Sequence, residues 1–136
     1  MAACSYVEPT IVAGLGLDHR LNREELLLPL LSVVPFDTLE AAITDANRSN
    51  YGLTAGIYTR DDAELDHLVN TIEAGVLYAN RASGATAGAW PGIQTFCGWK
   101  GSGTSGKGGL GSWYVPQLMR EQSHTLFDAT PLAVIG

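Results

Sequence analysis

Between Leu30 and Ala79 the chain runs twice through one order of signals: a short apolar run, an acidic residue with a glutamate three positions on, then apolar residues at helical spacing. The first run is LLSVVPF, 30–36, of strand type, with Pro35 unsuited to a central position at its end. Asp37 opens the first helix, and Glu40 stands where a side chain reaches back to the cap's own N–H. Leu39, Ala42, Ile43 and Ala46 follow the i, i+3, i+4, i+7 spacing of one buried face, and Asn50-Tyr51-Gly52 ends the helix. TAGIYT, 54–59, is the second strand; Asp61 and Glu64 repeat the cap, and Leu65, Leu68, Val69 and Ile72 repeat the face. Gly75 is placed to stop that helix with positive φ, and GVLYA, 75–79, is the third strand.

Strand, helix, strand, helix, strand constrains the fold more than any other feature. It predicts an α/β chain with a partial parallel sheet built on a βαβαβ unit and right-handed crossovers. At 136 residues the chain amounts to about one domain, which needs no disulfide staples.

Beyond Asn80 the pattern changes. Most of the chain's 16 glycines fall in the segment from Arg81 to Gly111, without a regular period. Loops of this length inside a compact domain are functional or disordered, and Trp90, Phe96 and Trp99 argue against disorder. Within KGSGTSGKGG, 100–109, Gly101, Gly103 and Gly106 spell a dinucleotide fingerprint, while Gly101 to Lys107 spell the start of a phosphate-binding loop. Both fail on context. Gly108 stands where the phosphate loop needs a Ser or Thr for magnesium, no buried strand precedes either motif, and GGLGS is a poor helix start. A glycine-rich turn passing close to something else fits better. Further on, WYVPQLM is a helical turn interrupted by Pro116, and HTLF, 124–127, a last strand.

Charge and composition exclude several classes. A net charge of −6 with eight unclustered basic residues leaves no surface for nucleic acid or an anionic membrane. Cys4, Cys97 and the three histidines have no metal-ligand spacing, so no metal is expected. No apolar run approaches the roughly 20 residues of a membrane span, and MAACSYVEPT lacks the parts of a signal peptide. The expected setting is a reduced cytoplasm.

Ligands of open parallel sheets bind outside the carboxyl ends of the strands, and the third strand ends at Asn80, where the glycine-rich segment begins. Small residues from Gly84 to Ala89 let backbone N–H groups converge on an anion such as a carboxylate, or let the loop pack tightly on its neighbours. Glu24-Glu25, before LLLPLL, offers a carboxylate for a ribose diol or is a solvated turn. Phe96 walls a substrate channel or anchors its loop. Cys97 lacks an identifiable base, so a structural thiol is the reading that fits.

Taken in order, YVEPTIV, REELLLPLLSVVPFD, EAAITDANRSNYGLTAGIYTRD, IEAGVLYANR and QTFCGWKGSG resemble the C-terminal part of the aldehyde dehydrogenase superfamily over residues 5–126. GATAGAWPGIQ and GSGTSGKGG are more similar still to its 1-pyrroline-5-carboxylate dehydrogenase branch, which oxidises glutamate γ-semialdehyde to glutamate with NAD in proline degradation. The resemblance implies that Glu25 hydrogen-bonds the nicotinamide ribose and that Leu27 takes the place of a phenylalanine packed on that cofactor. It implies that Gly88 and Ala89 hold the substrate carboxylate through backbone N–H groups, and that Phe96 packs beside the aldehyde chain. Thr95-Phe96-Cys97-Gly98 departs from the family's Pro-Phe-Gly-Gly.

On this resemblance 1–136 is one fragment of a catalytic domain: a βαβαβ core at 25–80, a substrate loop at 81–112 and a strand at 121–127 that pairs across an oligomer interface. PLAVIG at the end goes beyond it. The family's nucleophilic cysteine, general-base glutamate and cofactor domain lie upstream of its EPT segment, so no catalytic residue is assigned in this chain. NAD-dependent oxidation by thiolate attack, hydride transfer and thioester hydrolysis is therefore expected of the parent enzyme and no turnover of this chain alone. The rival expectation is a non-catalytic fragment that acts by binding or by assembly with full-length subunits.

Overall fold

The computed structural model describes residues 6–82, 94–103 and 106–127. In chain order the elements are β1 (Thr10–Ala13), α1 (Arg20–Arg23), β2 (Leu30–Val33), α2 (Leu39–Asn47), β3 (Tyr51–Gly52), β4 (Thr54–Ile57), α3 (Asp62–Thr71), β5 (Val76–Ala79), β6 (Trp99–Lys100) and a 3-10 turn at Pro116–Leu118. Mixed α/β structure with parallel pairing is what the repeated strand–helix signals imply.

The sheet departs from the expected arrangement in one respect. The three strands of the βαβαβ unit do not form one ladder: β4 and β5 pair in parallel, Thr54 opposite Val76 to Ile57 opposite Ala79. β2 pairs instead with β1, also in parallel, Thr10 opposite Leu30 to Ala13 opposite Val33. Periodicity shows that a segment is extended; it carries no information on which neighbour takes its hydrogen bonds. The short antiparallel pair of β3 with β6 joins Tyr51 to Lys100 and Gly52 to Trp99.

The core lies where α2 and α3 pack over β4 and β5. Ile43, Leu68, Ile72 and Ala74 are buried together, with Leu39, Ala55, Ile57 and Leu77 packed against them. Burying a side chain of Ile or Leu size contributes about 1.5–3 kcal/mol, so these few contacts hold the two steps together. Ala46 and Val69, expected on the buried faces, are exposed.

The helix ends differ in detail from the sequence reading. α2 is capped by Thr38 rather than Asp37: the Thr38 hydroxyl accepts from the Ala41 N–H at 3.2 Å. α3 is capped by Asp61, whose carboxylate accepts from the Ala63 N–H at 2.8 Å. Glu64 does not reach the cap's own N–H. It accepts from the Thr59 hydroxyl, and that hydroxyl accepts from the Asp61 N–H at 3.0 Å, so the box closes through a third residue. Gly75 does not end α3 by a left-handed turn either. The cap is Ile72 in an extended conformation, and among the described glycines only Gly14 has positive φ.

Residues 121–127 form no ladder with the other described residues, and Leu126 and Phe127 are exposed. Pro116 opens its 3-10 turn at a position where a missing N–H is harmless.

Candidate active site

The site is built around the turn that follows β6. Lys100, at φ 52°, carries the chain out of the strand, and its ammonium donates to the carbonyls of Asn47 at 2.6 Å and Ser49 at 3.1 Å. It also pairs with the Glu73 carboxylate at 2.5 Å. One side chain therefore ties the turn to the carboxyl end of α2, where cations suit the helix dipole, and to the segment before β5. Gly101 N–H donates to the Asn50 carbonyl at 2.9 Å, and Gly52 N–H donates to the Ser102 hydroxyl at 3.1 Å.

Two cavities meet at this turn. The larger, of about 520 Å³, is lined by Glu25, Asn47, Ser49, Glu73, Gly101 and Ser102 among others. The smaller, of about 250 Å³, is lined by Phe96, Gly98, Lys107, Tyr114 and the same Gly101 and Ser102. The structure thus brings Glu25 and Phe96, 71 positions apart in sequence, to opposite sides of one turn.

The acidic pair before LLLPLL divides its work. Glu24 is spent on Arg20, which donates to it from Nε at 2.9 Å and from Nη2 at 2.6 Å. That hydrogen bond holds the Glu24 carboxyl below its ordinary range. Glu25 is left to line the cavity. The short α1 just ahead of both is fixed to α2 by Arg23, whose guanidinium meets Asp45 at 2.5 Å. Leu27 has φ 53° and is 88% exposed, its side chain turned out to solvent. Gly88 and Ala89 lie outside the described residues, as does Cys4.

Two glycines of the dinucleotide-like motif, Gly101 and Gly103, serve close packing, whereas a Cβ at Gly106 would meet open space. A Cβ at Gly103 would lie 2.1 Å from the Gly98 carbonyl oxygen, and from Gly106 onward the chain forms turns and a single bridge between Phe96 and Gly109. Among the described residues no helix opens there to receive a pyrophosphate, which speaks against both phosphate readings. Cys97 is a free thiol whose Sγ donates to the Gly75 carbonyl at 3.0 Å. Among the described residues no group of three His, Cys, Asp or Glu converges as a metal site, and no helix is long and apolar enough to cross a membrane. Sequence reasoning missed Lys100 and Ser102: both sit in a motif whose apparent meaning, phosphate binding, drew attention to its glycines.

The sequence profile described as the aldehyde dehydrogenase family matches residues 3–123. The chain is 38% identical over 104 residues to a 1-pyrroline-5-carboxylate dehydrogenase of Staphylococcus haemolyticus, covering 76% of this chain and 20% of that protein. It is 40% identical over 75 residues to a betaine aldehyde dehydrogenase of Rhizobium etli, covering 55% of this chain and 15% of that protein. A solved 1-pyrroline-5-carboxylate dehydrogenase from Thermus with bound NAD superimposes with a TM-score of 0.69 at 34% identity, over 80% of this chain and 20% of its own. The chain thus spans a fifth or less of the length of these relatives. With a profile match over nearly all of its length and a shared backbone beneath it, the chain belongs to the aldehyde dehydrogenase family.

Proposed function

We propose that this chain is the cofactor-contacting and substrate-positioning part of an NAD-dependent aldehyde dehydrogenase that converts glutamate γ-semialdehyde to glutamate, a step of proline degradation. The observation that carries the reading is the shared turn at Gly101 and Ser102, which sets the Glu25 cavity beside the Phe96 cavity. A cofactor and an aldehyde that exchange a hydride need adjoining sites of that kind. The similarity of the chain to 1-pyrroline-5-carboxylate dehydrogenases in both sequence and backbone supports the choice of aldehyde.

The residues present suit NAD. An exposed carboxylate at Glu25, in a cavity that also holds Asn47 and Ser49, is suited to accept hydrogen bonds from a ribose diol. NAD, when bound, supplies the hydride acceptor. Glu25 orients its ribose, Phe96 walls the aldehyde chain, and the backbone at Gly88 and Ala89 holds the substrate carboxylate. Leu27 offers the cofactor a smaller apolar contact than an aromatic ring. The segment 121–127 is the strand that pairs between subunits of a homo-oligomer, consistent with its exposed Leu126 and Phe127. The free thiol of Cys97 suits a reducing cytoplasm. The chain alone supplies position but not the nucleophile, and has no turnover.

The test is a chimera in which this chain replaces the matching portion of the Thermus enzyme. NADH formation with glutamate γ-semialdehyde at a kcat/KM above that with betaine aldehyde is expected, and Glu25→Gln raises the KM for NAD. Preference for betaine aldehyde would overturn the substrate assignment. Turnover by the 136-residue chain alone, abolished in Cys97→Ser, would overturn the division of labour.

A further inference from the structure

Lys100 links the walls of the two cavities. The three groups its ammonium grips, at Asn47, Ser49 and Glu73, belong to residues that all line the larger cavity. Its neighbours in the chain, Gly98, Gly101 and Ser102, line the smaller one, together with Phe96. An ammonium has three donors, and here two carbonyls and one carboxylate supply an acceptor for each. The ground they stand on is itself cross-linked. Asn47 donates from Nδ2 to the Thr71 carbonyl and accepts from the Glu73 N–H on Oδ1, both at 2.8 Å. The backbone adds a second sign: at φ 52° Lys100 holds a left-handed conformation that a lysine keeps only where its surroundings impose it.

We propose that Lys100 is a positioning residue for hydride transfer: its ammonium fixes the Phe96 cavity relative to the Glu25 cavity, and thereby the approach of the aldehyde to the cofactor. The proposal rests on the reading of those cavities as aldehyde and cofactor sites. Lys100 lines neither of them. It acts through the turn, with its ammonium on one wall and its own peptide leading into the other. Hydride transfer needs both ligands in near contact and aligned, whereas each ligand binds at its own site. Loss of the anchor therefore slows the step that needs both sites and spares the binding that needs one. The turn keeps the bonds from Gly101 N–H to the Asn50 carbonyl and from Gly52 N–H to the Ser102 hydroxyl. The core of Ile43, Leu68, Ile72 and Ala74 does not include it, so a chain without the anchor is expected to fold.

The test places Lys100→Met, which keeps the stem and removes the charge, in the chimera with the Thermus enzyme. The rate of the first turnover, read as NADH formed from glutamate γ-semialdehyde, is expected to fall about tenfold to a hundredfold, the scale of a misplacement of about 1 Å. The Kd for NAD, read by quenching of protein fluorescence, stays within about twofold, because uniform binding is untouched. Lys100→Arg, which keeps the cation, recovers most of the rate. In the 136-residue chain, amide hydrogen exchange at Gly52, Gly101 and Ser102 becomes faster in Lys100→Met and is unchanged in α3. An unchanged first-turnover rate, an equal loss of NAD affinity, or exchange that is unchanged at the turn or faster throughout α3 overturns the proposal. A chimera that oxidises betaine aldehyde and not the semialdehyde overturns the substrate assignment alone, and the same comparison is then read on betaine aldehyde. A chimera inactive on both aldehydes overturns both.

Discussion

The Cα of Gly75 lies directly against the backbone of Cys97: a Cβ at Gly75 would stand 1.7 Å from the Cys97 carbonyl oxygen. The contact is closed from the other side by the Cys97 thiol on the Gly75 carbonyl. Backbone atoms cannot rotate away as a side chain can, so an added methyl must push apart β5 and the segment carrying Phe96. Overpacking typically costs about 1–3 kcal/mol, and Gly75→Ala is expected at the upper end of that range. Urea denaturation measures it. A midpoint equal to that of the parent chain would show that the two segments separate freely.

Thr38, not Asp37, caps α2, and the two positions make opposite forecasts. Loss of a capping hydroxyl costs about 1 kcal/mol. Thr38→Ala should therefore lower the denaturation midpoint, whereas Asp37→Ala should leave it nearly unchanged. The reverse order would restore Asp37 as the cap.

Arg23 and Asp45 join α1, immediately before the Glu24-Glu25 pair, to the last turn of α2. Both side chains are partly buried, so screening is incomplete and the pair is expected to exceed a surface ion pair only modestly. A double-mutant cycle with Arg23→Met and Asp45→Asn should give a coupling of about 1 kcal/mol that falls as salt is raised. Zero coupling at low salt would mean that α1 is held by something else.

Glu24 titrates below its ordinary value because Arg20 donates to its carboxylate. A carboxyl depressed in the folded state contributes stability above the unfolded value of 4.5 and loses it as pH falls through the folded value. Both side chains are solvent-exposed, so the effect on global stability is small. The direct readout is the NMR titration of the Glu24 side chain. Its midpoint should lie below that of a free glutamate and return to it in Arg20→Gln.

How much of this was legible beforehand differs from feature to feature. The alternation of strands and helices was written in the apolar spacing, because a helical face or an extended run is a local property of neighbouring residues. The cap at Thr38 was misplaced by one residue, since Asp and Thr both cap well and the choice between them depends on how the chain enters the helix. Gly75 was rightly singled out for the wrong reason: a glycine followed by a strand signals a special constraint, but a left-handed turn and a close approach leave the same letter in the sequence.

By itself the sequence determined the α/β class, the order of β2, α2, β4, α3 and β5, and the family, because each depends on patterns within a few residues or on several short segments in fixed order. Only the tertiary structure decided that β2 bonds to β1 rather than to β4, that Lys100 fastens the glycine-rich turn to α2, and that Glu24 is consumed by Arg20 while Glu25 lines a cavity. Those outcomes are choices among partners far apart in the chain. Hydrogen-bond donors and apolar faces declare what they need, and only the packed chain settles which distant group supplies it.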